Sequence, residues 1–297
     1  MQKNETDVNS EFRTIDGVTV KTLDQLDTKN PQPGIYERIP FDVYRDLDAL
    51  NSSKIRKALD SMLVYKRYLV ELETIKPSYA LDFGLAFAAL CENPDALESK
   101  IKAGPTKGAH TIAWCEEMKE NPETIYIKED DFPMLKAMIH SFRNHQYTKQ
   151  FSYDAFNELT VIWICEHTKQ LCKCRIDIFK DFHVIDCKTT KDVRPRKFKW
   201  QIIDFRYDIQ VCFYADGLRA NKVRVNWCSN FFIEKEESMP DVVPKGYNQE
   251  QMDDCRDEYI GAIEKIIEAK KTGVYHGYAP EPLIDLYGFD EPSQTFE

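Results

Sequence analysis

The sequence predicts an α/β domain with a central mixed sheet flanked by helices and a mainly helical first part, and three observations carry that reading. Apolar residues recur at helical spacing up to about residue 145. The period then shortens to two over 158–166, 172–179 and 183–190, which read as three strands in a meander. Helical spacing returns over about 202–220, followed by a strand over 223–233 and a long amphipathic helix over 249–271.

The first 35 residues are polar, with a turn at Asn30-Pro31-Gln32-Pro33-Gly34, and predict an arm over 1–34. Asn51-Ser52-Ser53 has the chemistry of a helix cap, and Ile55, Ala58, Leu59, Met62, Leu63 and Tyr65 follow at helical spacing. A second helix is expected over 78–90, with Leu81, Leu85, Ala88 and Ala89 on one face and Pro94 ending it. Gly104-Pro105-Thr106-Lys107-Gly108 lacks the Gly-Lys-Ser/Thr ending of a phosphate loop and reads as a plain loop. Helices are expected over 111–119 and 131–145; His140 and His145 lack metal-ligand company and read as surface residues. The expected organisation is one domain over 35–272, helical over 35–150 and carrying the sheet over 151–235, with a tail over 273–297.

At 297 residues, 42% hydrophobic and 30% charged, the chain has ample material for a core. No apolar run approaches the ~18 residues of a membrane span, and the polar, acidic Met1–Glu5 start does not read as a secretory signal. Nine cysteines, mostly inside apolar runs, predict reduced thiols and a cytoplasmic location. The net charge of −10 disfavours indiscriminate nucleic-acid binding but permits a local basic channel. Such a patch follows the third strand: Lys188, Lys191, Arg194, Arg196, Lys197 and Lys199 against the single acid Asp192. It reads as a phosphate-contacting loop.

The chemistry concentrates in Arg175-Ile176-Asp177 and Ile185-Asp186-Cys187-Lys188-Thr189. On a strand Asp186 and Lys188 share one face and Cys187 points to the other. Pairing with the strand of Asp177 would bring two carboxylates and one ammonium together. Hard oxygen ligands of this kind suit Mg²⁺ or Mn²⁺, with a phosphate sharing the ion. An Asp-x-Lys on a strand is commonly a surface ion pair. Here apolar Ile176, Ile178, Val184 and Ile185 surround the charges, which argues for burial and a specific use. Downstream, Tyr207, Gln210 and Tyr214 fall on one helix face.

The order of a Glu-strand, an Arg-Ile-Asp strand, an Asp-Cys-Lys-Thr strand and a Gln-x-x-x-Tyr helix resembles the PD-(D/E)XK nuclease superfamily, and more narrowly its exonuclease VIII-like (RecE/RecB-type) phage branch. Gly34-Ile35-Tyr36, Ile39-Pro40, Tyr44, Ser52-Ser53-Lys54-Ile55, Ala80-Leu81-Asp82-Phe83-Gly84 and Asn93-Pro94-Asp95 extend the resemblance over most of 34–220. It implies a restriction-endonuclease-like core in which Asp177, Asp186 and the Cys187 backbone carbonyl hold Mg²⁺, with Glu158 in or beside that shell. Lys188 would position the attacking water, and Gln210 and Tyr214 would support the site. Arg175, Tyr207 and the basic run would contact DNA. It further implies 5′-to-3′ digestion of linear duplex DNA by a homo-oligomeric ring, in collaboration with a single-strand annealing protein. Ala88 stands where the branch carries a histidine ligand, so an inert DNA-end-binding module is the alternative, beside a structure-specific endonuclease of the same fold. An iron–sulfur cluster is not expected, because Cys228 and Cys255 are isolated and Cys172-x-Cys174 lies within a strand.

Overall fold

The computed structural model describes residues 13–72, 78–93 and 95–278. An eight-stranded mixed sheet forms its centre. In chain order the first strands are β1 (Thr14–Ile15), β2 (Val18–Lys21) and β3 (Gly34–Tyr36). The helices α1 (Phe41–Asp46), α2 (Ser52–Asp60), α3 (Met62–Leu72), α4 (Tyr79–Glu92) and α5 (Ala96–Ser99) follow. Then come β4 (Ile101–Ala103), α6 (Ile112–Glu120), β5 (Ile125–Ile127) and α7 (Phe132–Asn144). The second half holds β6 (Phe156–Ile164), β7 (Leu171–Lys180), β8 (His183–Thr190), α8 (Pro195–Phe205), α9 (Tyr207–Ala220), β9 (Trp227–Glu234), β10 (Val242–Gly246) and α10 (Gln249–Thr272).

The strand order is β1-β2-β3-β6-β7-β8-β9-β10, while β4 and β5 form a separate parallel pair. Strands β6, β7 and β8 form the expected antiparallel meander, and the α8–α9 crossover returns the chain to lay β9 parallel to β8. Buried residues of α2, α9 and α10, among them Ile55, Phe213 and Ile263, cover one face of the sheet over Leu159, Val161 and Trp163. On the other face Phe87 of α4 and Leu135 and Phe142 of α7 pack on Ile178, Ile185 and Phe231. Helix α9 sits close: a Cβ on Gly217 would come within 2.7 Å of the Trp163 ring.

Local chemistry explains the element ends. The Asn51 side chain caps α2 by accepting from Lys54 N–H at 2.9 Å. Extended Ser61 then breaks the single run of apolar spacing into two helices, its hydroxyl accepting from Val64 N–H. Lys173, almost fully buried, donates to the Tyr44, Arg45 and Leu47 carbonyls and closes the end of α1.

Several expectations need correction. Residues 14–36, assigned mostly to an arm, add three strands to the sheet edge, with Ile15, Val20 and Ile35 buried in its core. The buried face of α4 is Phe83, Ala86, Phe87, Leu90 and Cys91, whereas Leu81 is exposed, because the α7 ridge and the β5 strand decide which face turns inward. The basic run is a loop only to Arg194; Pro195 at the first helical position starts α8, so Arg196, Lys197 and Lys199 are helical. Arg206, at φ +50°, breaks what reads as one helix into α8 and α9. The strand expected from Val223 begins at Trp227. Pro94, the Met1–Glu5 start and the tail from 279 lie outside the described residues.

Candidate active site

The sheet changes character at the two acids. Strands β6 and β7 pair from Phe156↔Phe179 to Ile164↔Leu171, yet Glu158 and Asp177, which that register sets opposite each other, do not pair. Glu158 is in the left-handed region at φ +53°, a strained backbone for a residue with a side chain. Side-chain alternation slips there: Leu159 and Ile176 join one core face, Phe156 and Phe179 join that same face three residues away, and Ile178 faces the opposite core. The β7–β8 ladder also stops at Ile178↔Ile185, immediately before Asp177 and Asp186. In its place Asp177 Oδ2 accepts the Cys187 backbone N–H at 2.7 Å. The two strands therefore part where the carboxylates stand.

Asp186 is fully buried and collects three donors. Lys188 Nζ lies 2.9 Å from Oδ1 and 2.7 Å from Oδ2, Gln210 Nε2 donates to Oδ1 at 2.9 Å, and Asn230 Nδ2 donates to Oδ2 at 2.7 Å. The parallel β8–β9 register sets Asn230 directly beside Asp186, and Tyr247 O–H donates to the Asn230 Oδ1 at 2.6 Å. Gln210 Nε2 also donates to the Tyr214 hydroxyl at 2.6 Å, as their one-turn spacing on α9 allows. Lys188 Nζ lies 4.9 Å from the centroid of the Tyr207 ring, a cation–π contact.

Asp177 is less satisfied. Its Oδ1 accepts no hydrogen bond from the described residues. Burial first, and then the like charge of Asp186, raise its carboxyl well above the ordinary range, against the pull of Lys188. Burial draws the Lys188 ammonium down, but the charges of Asp186 and Asp177 outweigh it and the net shift is upward. Lys188 thus stays a cation, suited to holding a water or a phosphoryl oxygen rather than to accepting a proton.

The other sequence-assigned residues divide in two. Glu158 gives its carboxylate to Arg175, whose guanidinium also reaches the Ile39 carbonyl, so each already has a partner within the protein. Lys191, Arg194, Arg196, Lys197 and Lys199 are exposed, with Arg194 paired to Asp192. Ala88 is half-buried on α4, one turn before Cys91. Burial raises the Cys91 thiol, and the charges of Asp177 and Glu158 add to that shift, which puts this stretch of α4 beside the acids.

Asn230 and Tyr247 escaped sequence reasoning. An asparagine directly before the apolar run Phe231-Phe232-Ile233 was the available signal for the first; the second has none. Among the described residues no group of three or more His, Cys, Asp or Glu side chains is arranged to hold a metal. The donor set instead fits an ion that takes few protein ligands: Asp177, with an oxygen to spare, Asp186 and the Cys187 carbonyl are all hard oxygens, and a cation there would relieve the repulsion between the two acids.

The family model of a PDDEXK-like domain of unknown function (DUF3799) matches residues 52–280. Among solved structures, a Eubacterium rectale protein provisionally named an exonuclease is similar, with a TM-score of 0.59 and 13% identity over 88% of this chain and 96% of that one. A phage-related exonuclease from Haemophilus somnus 129PT aligns at a TM-score of 0.35 and 12% identity, over 78% of this chain and 100% of that one. No curated protein matches by sequence.

Proposed function

The chain belongs to the PDDEXK-like family, and from that premise we propose that it is a metal-dependent nuclease that hydrolyses DNA phosphodiester bonds. The observation that carries this reading is the parting of β7 from β8 at Asp177 and Asp186, with Lys188 bonded to the second acid. Asp177, Asp186 and the Cys187 carbonyl would hold a divalent ion, Mg²⁺ or Mn²⁺, which when bound supplies Lewis-acid polarisation of the phosphate and lowers the pKa of water. Lys188 holds the incoming water or a phosphate oxygen and offsets charge as it builds there. Gln210 and Asn230 fix the orientation of Asp186, and Tyr214 and Tyr247 fix them in turn. Glu158 acts one step back, by anchoring Arg175.

We further propose that it acts as an exonuclease on linear duplex DNA, which the name of the Eubacterium rectale relative and the exonuclease VIII-like motifs support. The 5′-to-3′ polarity, a ring-shaped homo-oligomer, an annealing-protein partner and a cytoplasmic location belong to the same proposal and rest on the resemblance and, for location, on the cysteines. No helix among the described residues is long and apolar enough to cross a membrane. Ala88 favours the second reading, an inert DNA-end binder. Incubating linear and covalently closed duplex with Mg²⁺ or Mn²⁺ separates the cases. Loss of the linear form alone supports the exonuclease; nicking of the circle indicates an endonuclease; binding without cleavage under either metal overturns the enzyme.

A further inference from the structure

Arg56 lies on α2, far in sequence from the acids and outside the basic run. Its Nη1 donates to the Phe205 backbone carbonyl at 2.8 Å, at the end of α8. The Phe205 ring stacks on Tyr207, with centroids 5.5 Å apart and planes 21° from parallel. Tyr207 in turn carries Lys188 over its face, and Lys188 touches Asp186. A continuous path of contacts thus runs from the acid cleft to the guanidinium. Arg56 and Lys188 are thus two cations on one line of contacts, separated by Phe205 and Tyr207.

The two cations differ in what satisfies them. Lys188 has a carboxylate. Arg56 makes no ion pair with a described residue, and its Nε–H is buried with no acceptor. Its Nη2 has no hydrogen-bond partner among the described residues and is not enclosed, so it is the donor open to a ligand. A planar guanidinium with free donors matches the non-bridging oxygens of a phosphate. The carbonyl of Phe205 holds it still, so little side-chain freedom is lost on binding.

Resting on the nuclease reading, we propose that Arg56 grips the backbone phosphate adjoining the scissile one, with Tyr207 and Lys188 between it and the reacting phosphate. Arg56 is then a substrate-contacting residue that sets the register of the strand in the cleft. A purely structural Arg56, capping the end of α8, would be indifferent to the charge of any one phosphate.

The test pairs protein and substrate changes. Duplexes carrying one uncharged methylphosphonate linkage at successive positions are measured with the wild type, Arg56→Gln and Arg56→Lys. Cleavage is read as kcat/KM, and binding is read in EDTA by fluorescence anisotropy. The wild type is expected to lose about tenfold at the adjoining position, the size of one good charged contact. Arg56→Gln should lose about as much on unmodified DNA and show no further penalty from the methylphosphonate, while Arg56→Lys recovers part of both. Equal penalties in wild type and Arg56→Gln would overturn the assignment, as would a wild type insensitive at every linkage flanking the cleaved one. The wild-type linkage scan requires no folded variant. If no preparation cleaves DNA, the nuclease reading fails while the anisotropy scan still decides whether Arg56 holds a phosphate.

Discussion

Replacing Asp177 with asparagine should stabilise the metal-free protein while abolishing cleavage. Asn retains an oxygen to accept the Cys187 N–H, so the bond that replaces the missing ladder survives. What disappears is the like charge facing Asp186. Neighbouring strands lie about 5 Å apart, and two unit charges at that spacing repel by about 3 kcal/mol at an effective dielectric of ~20. Lys188, 2.7 Å from Asp186, already offsets part of this, leaving a gain of about 1–2 kcal/mol. The pH dependence has a definite sign. The folded pKa of Asp177 is raised, so the fold binds a proton that the unfolded chain has released. That contribution is fully present below the unfolded value of about 3.9 and is lost as pH rises toward the folded one. The gain from Asp177→Asn should therefore be near zero at pH 4 and largest at neutral pH. Urea unfolding of both forms in EDTA at acid and neutral pH measures it, alongside cleavage of linear duplex in Mg²⁺. A variant less stable than the wild type at neutral pH, or an offset independent of pH, refutes the crowding of the two acids.

The opposite is expected at Asp186, where asparagine sets an amide against the converging Lys188, Gln210 and Asn230 donors. Asp186→Asn should abolish cleavage and also cost about 2–4 kcal/mol in the same urea assay; an unaltered midpoint contradicts the hydrogen-bond assignment. Ala88→His should lower the metal concentration for half-maximal cleavage by about tenfold or more, given the closeness of α4 to Asp177, and a titration showing no such fall means that Ala88 does not face the ion. Neutralising Lys197 and Lys199 together, both exposed on α8, should flatten log affinity against log salt by about two charge equivalents, and an unchanged slope returns them to ordinary surface. Lys173→Met should destabilise the fold by about 2–4 kcal/mol without touching the site, since three carbonyls, two of them in buried bonds, lose their donor; equal unfolding midpoints would exclude that role.

Short-range regularities made much of this protein legible from its residues alone. The two-residue period over β6–β8 located the strands, and alternation within β8 put Asp186 with Lys188, now seen in contact. The one-turn spacing on α9 likewise joined Gln210 to Tyr214. Tertiary structure decided the rest, because those features depend on which segments meet. Asn230 reaches Asp186 only through the parallel β8–β9 register, Tyr247 reaches Asn230 from beyond β10, and Arg56 of α2 meets the end of α8. The inward face of α4 depends on its packing with α7 and β5, not on its own apolar spacing, which left Leu81 outside. Most consequential is the phase slip at Glu158 and Asp177. A glutamate at positive φ has no mark in composition or period, and the surrounding sheet must hold it there against its own backbone preference.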